Sequence, residues 1–122
     1  MLPADFQERY TQLKQTLTQL STSVEANEMA GGELKTEITQ LQSFFNQQVL
    51  SLPFAQLDRA DLTRTQSYNT ELHKQLRLLA TDAMFLGSAR QAATVEQRKR
   101  QLRDRLSTLV RYCDVLLGVS GE

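Results

Sequence analysis

A chain of 122 residues has room for a single hydrophobic core, so residues 1–122 read as one domain. Its 14 basic and 14 acidic side chains cancel, unlike the strongly basic balance usual in a nucleic-acid-binding domain. No apolar run nears the ~20 residues of a membrane-spanning helix, the N-terminus lacks the basic patch and apolar core of a secretory signal, and the lone Cys113 has no partner for an internal disulfide.

Those exclusions lead us to expect a cytoplasmic protein with no membrane association. Leu heads the apolar residues, and only two prolines occur, Pro3 and Pro53. The composition reads all-α.

The first predicted helix covers about residues 3–29, with Pro3 in a first turn that tolerates its missing N–H. Phe6, Tyr10, Leu13, Leu17, Leu20 and Val24 follow at alternating steps of four and three, the spacing of one helical face. Ala30-Gly31-Gly32 is expected to break the helix. The second helix covers about 33–51, opens on Glu33 and buries Leu34, Ile38, Leu41, Phe45, Val49 and Leu52. Pro53 ends it, and Phe54 and Leu57 are expected to fold over the bundle end.

The third helix covers about 59–89, capped by Asp58 or Asp61. Its second half, from His73 to Gln91, is the densest stretch of the chain. Leu72, Leu76, Leu79, Ala83 and Leu86 form its seam, and Leu78, Met84 and Phe85 widen it enough to touch two neighbours. The fourth helix covers about 95–117, with Thr94 and Gln97 in the pattern of a capping box. Val95, Leu102, Leu106, Leu109, Cys113 and Leu116 form its stripe. Lys99 fills a gap there, with its ammonium expected to reach water. Residues from Gly118 onward should fray.

Four amphipathic helices with short connections predict an up-down-up-down antiparallel four-helix bundle. The same stripes would also be buried if two helical hairpins paired between chains as a dimer.

Charges are unevenly distributed. Residues 1–61 carry four basic and eight acidic side chains, and residues 90–122 carry seven and four. The first half and the last helix should therefore attract one another, or attract different partners. Asp82 borders the third helix's seam, where a carboxylate needs a partner. Counting across the turn near Gln91 places Arg98 or Lys99 opposite it, and Arg77 opposite Asp104.

Catalytic, cofactor and metal chemistry find little purchase. His73 is the sole histidine, and Glu71-Leu72-His73 lacks the Glu-x-x-His spacing of a bundle metal site. Cys113 lies on an apolar stripe, where a small buried side chain is the ordinary reading; a nucleophile would need His73 beside it. Gly31-Gly32 has no following Lys-Ser/Thr to cradle phosphate. Arg98, Lys99, Arg100, Arg103, Arg105 and Arg111 spread around the last helix instead of forming one ridge, which argues against nucleic acid as a partner.

Several strings in the second half carry a resemblance. They are Gln66-Ser67-Tyr68, Lys74 to Leu79, Asp82-Ala83-Met84-Phe85-Leu86, Ala89 to Thr94, Asp104-Arg105-Leu106 and Tyr112-Cys113-Asp114. Across roughly residues 62–117 the chain resembles the PatD family, cyanobacterial proteins named for control of heterocyst frequency. The resemblance implies a non-enzymatic regulator that works through protein contacts without a cofactor. It implies a link to cell division, with the division protein FtsZ as partner. The alternative is a homodimeric helical adaptor with no role in heterocysts. The contact surface expected in either case is the outer side of the third helix and its turn into the fourth: Arg77, Asp82, Met84, Phe85, Arg90 and Gln91.

Overall fold

A computed structural model describes residues 2–27 and 31–119. Among them are four α-helices and no strand: α1 (Ala4–Glu25), α2 (Gly31–Phe44), α3 (Arg59–Ser88) and α4 (Ala92–Leu117). The fold is an all-α helical bundle. α4 packs against both α1 and α3, and α2 packs mainly on α3 and touches α1 more lightly.

The spacing of apolar residues dictates the core. Phe6, Tyr10, Leu13, Leu17, Leu20 and Val24 of α1 are all buried, as are Leu72, Leu76 and Leu79 of α3 and Leu102, Leu106, Leu109, Cys113 and Leu116 of α4. One buried polar contact joins them. The Tyr10 hydroxyl donates to Asn69 Oδ1 at 2.6 Å, which satisfies both groups away from water.

α1 stops earlier than residue 29. Its last helical residue is Glu25, and Asn27 adopts φ 56°, a left-handed conformation that asparagine tolerates better than most residues. The expected end at residues 28–29 lies outside the described residues. Gly31 and Gly32 open α2 and do not terminate α1.

α2 continues into a single π turn, Phe45–Val49, in which the Leu50 N–H donates to Phe45 O at 3.0 Å. Phe45 and Val49, four apart, both stay inside. Phe54 starts a short 3₁₀ turn and closes the bundle end as expected, with its ring edge-to-face on Phe6 at 5.4 Å.

Asp58 caps α3, accepting from the Asp61 N–H at 2.8 Å. α4, in contrast, begins at Ala92 with no side-chain cap on Gln91. The capping box at Thr94 and Gln97 does not form, because both residues already lie within the helix. Ala92 and Ala93 are strong helix formers and extend it backwards until the turn stops it. At the far end Gly118 closes α4 in the left-handed region, φ 73°. The frayed end expected beyond it falls mostly on residues 120–122, outside the described residues.

Candidate interaction surface

α3 and α4 run in opposite senses, and their pairings show the register. Arg64 donates to Val115 O at 2.7 Å, the Tyr68 ring meets Tyr112 edge-on at 5.6 Å, and Arg105 Nη1 donates to Gln75 Oε1 at 3.0 Å. Continuing the step from Tyr68 to Gln75 puts Asp82 level with Arg98, as counting across the turn predicts. The ion pair nevertheless forms with Arg105, whose Nε is 2.8 Å from Asp82 Oδ2.

Helix geometry explains the correction. Side chains lean toward the N-terminus of their own helix. Asp82 therefore leans away from the turn and Arg98 toward it, so the two diverge. Asp82 and Arg105 lean toward each other and close a gap of two turns. Arg98 instead covers Phe85, its guanidinium carbon 4.7 Å from the ring centroid. Lys99 is buried along most of its length, and its ammonium donates to Oδ1 of the exposed Asn27. Arg77 makes no ion pair with Asp104 among the described residues.

The attraction between the first half and the last helix takes two forms. Glu25 meets Arg103 at 3.1 Å in the expected polarity, while Lys14 meets Asp114 at 2.6 Å in the reverse one.

Of the six residues expected at the surface, Arg77, Met84, Phe85, Arg90 and Gln91 are exposed, Met84 at 64% and Phe85 at 43%. Asp82 is only 5% exposed and occupied by Arg105, so it holds helices together and is not free for a partner. The five do not form one patch either. Met84 lines a furrow between α2 and α3, whereas Phe85 lies under Arg98 on the α4 side. Consecutive helical residues point about 100° apart, which separates them.

The furrow is the feature that reading α3 alone misses. Its upper part, about 560 Å³, is lined by Gly32, Lys35, Ile38 and Thr39 from α2 and by Ala80, Thr81, Ala83, Met84 and Gly87 from α3. Lower down, Gln42 Nε2 donates to Leu76 O at 3.1 Å and bridges the two helices beside His73 and Arg77. The small residues Ala80, Ala83 and Gly87 on one side of α3 are a signal visible in the sequence, but α2's orientation is needed to see what they face.

Cys113 and His73 do not share a site. Cys113 is buried on the side of Tyr10 and Lys14, and His73 is exposed, its ring 6.3 Å from that of Phe45 in the π turn after α2. Burial pushes the Cys113 thiol up to about 12, and the charge of Asp114 adds to the effect while Lys14 opposes it. The thiol is therefore protonated at neutral pH. Burial also raises Tyr10 above its usual range, with the Asn69 hydrogen bond pulling the other way.

Among the described residues no group of three or more His, Cys, Asp or Glu side chains could hold a metal ion, and no helix is long and apolar enough to cross a membrane. No family model, curated protein or solved structure matches this chain.

Proposed function

We propose that this chain is a non-enzymatic regulator that acts through protein contacts, a PatD-like control on how often cyanobacterial cells differentiate into heterocysts. The observation that carries the contact reading is that two large apolar side chains on the last turns of α3 are left exposed, Met84 toward α2 and Phe85 toward α4. Large apolar groups left in water are what a partner would cover, and Phe85 with the Arg98 guanidinium over its ring is the one on the α4 side. The resemblance over residues 62–117 supplies the process and names FtsZ as the partner to test.

The experiment is direct binding to purified FtsZ, followed by hydrogen exchange with and without it. Protection is expected on the last turns of α3, and Phe85→Ser is expected to weaken binding at least about tenfold, the cost of a well-buried aromatic anchor. In a heterocyst-forming filament, deletion of the gene should change heterocyst frequency and the Phe85→Ser copy should fail to restore it. Unchanged protection together with full rescue by Phe85→Ser would overturn the reading.

A further inference from the structure

The upper α2/α3 furrow is mostly apolar, with cations beside it. Buried Ile38 and half-buried Ala80 and Ala83 lie in it, and the exposed Met84 borders it. Lys35 lines it from α2, and Arg77 lines the separate recess below it beside Gln42; both are exposed and without an ion-pair partner among the described residues. Among the described residues no carboxylate lines the upper furrow or the recess below it. The acidic residues of α2, Glu33 and Glu37, lie about 160–200° around the axis from Lys35, at ~100° per residue, and so face away. A chain of zero formal net charge therefore presents one locally cationic, apolar face.

The mouth of the furrow is also left open. Gly32 and Gly87 sit within helices, and a Cβ added to either would meet nothing within 4 Å. Neither has the positive φ that would demand glycine. Glycine in a helix costs stability relative to alanine, and no internal contact here requires the missing side chain. What the absence of side chains permits is close approach from outside.

Resting on the regulatory reading above, we propose that this furrow receives a short amphipathic helix of the partner, one whose apolar ridge is flanked by glutamate or aspartate. The ridge would lie against Ala80, Ala83 and Met84 between the glycines, and the acidic flanks would meet Lys35 and Arg77. A second copy of this chain fits poorly. A two-fold contact would lay Lys35 and Arg77 over the same cations of the other molecule, and like charges facing one another are disfavoured.

The test uses the full chain and two synthetic peptides of about 14 residues, roughly 21 Å as helices. Both carry the same leucine ridge; one has glutamate flanks and the other lysine flanks. In amide NMR titrations the glutamate peptide is expected to shift Lys35–Thr39 and Ala80–Gly87, and the lysine peptide to bind at least about fivefold more weakly. The double variant Lys35→Glu/Arg77→Glu should invert that preference. Gly87→Leu, whose Cβ would meet open space in the free protein, should block both peptides without loss of thermal stability.

Equal binding of the two peptides, no shift along the furrow, or concentration-dependent shifts of the same amides without peptide would each overturn the proposal. Two results separate it from the regulatory reading. A silent furrow with Phe85→Ser still weakening FtsZ binding overturns this proposal alone. Peptide binding in the furrow, with FtsZ binding unaffected by Phe85→Ser, Gly87→Leu or the double variant, supports this proposal and overturns the assignment of FtsZ.

Discussion

Replacing Asp82 by asparagine removes the charge that holds Arg105 while keeping the side chain's shape. The carboxylate is nearly fully buried and the guanidinium about one-fifth exposed, so screening by water is limited. Asp82→Asn is expected to lower stability by about 1–3 kcal/mol in urea denaturation. A double-mutant cycle should find Asp82 coupled to Arg105 and uncoupled from Arg98. Coupling to Arg98 would mean that the lean of side chains along antiparallel helices does not set this pairing. Partner identity was not legible from counting alone, since the count gives the level of a residue on its helix and not the direction in which its side chain extends.

Cys113 and Tyr10 make a second set of residue-scale expectations, in alkali. Both folded pKa values lie above the ordinary ones of 9.0 and 10.0. The unfolded chain therefore gives up these protons first as pH rises. Their contribution to stability is complete below the ordinary values and is lost as pH climbs toward the folded ones. Stability measured by denaturant should fall from about pH 9 upward, and Cys113→Ala should flatten the first part of that fall. The same protonated, buried thiol should react with a thiol reagent at neutral pH only as fast as the protein opens.

At the scale of the element, the two starts of α3 and α4 differ in chemistry and should differ in sensitivity. Asp58 satisfies a free backbone N–H, and Asp58→Ala is expected to cost about 1 kcal/mol. Thr94→Ala should change stability by less than about half of that, since Thr94 is inside the helix and caps nothing. Comparing the two melting temperatures checks both statements. The cap could be read in advance only as Asp58 or Asp61; Asp58 takes the role because the helix starts at Arg59 and puts the Asp61 N–H within its reach. Thr94 misled because the capping pattern describes residue types, and Ala92-Ala93 ahead of it offered the helix an earlier start. The stripes of α1 and α4 were legible for a stronger reason: many apolar residues at one spacing leave a single face that can be buried. The π turn was not legible, because two residues four apart satisfy an α-helical face almost as well.

For the molecule as a whole, the packing is uneven. α4 lies between α1 and α3 and is gripped on both sides, while α2 is short, leans mainly on α3 and turns much of its surface to water. Its apolar anchors Leu34, Ile38 and Leu41 are well buried, so α2 is folded, but fewer neighbours must separate for it to come away. This also explains how much of the candidate surface the sequence could reveal. Arg77, Met84 and Phe85 were readable as off-seam residues of α3, yet the furrow exists only where α2 rests on that helix, and nothing in α3 encodes α2's angle. Native-state hydrogen exchange should therefore show amides of α2 opening at a free energy about 1–3 kcal/mol below those in the middle of α4. If the furrow takes a helix, its ligand bridges α2 to α3 and must raise the opening energy of α2 more than that of α1. Equal protection across α2 and α4 in the free protein would show that α2 is an integral member of one cooperative unit, leaving no loosely held element for a ligand to fasten.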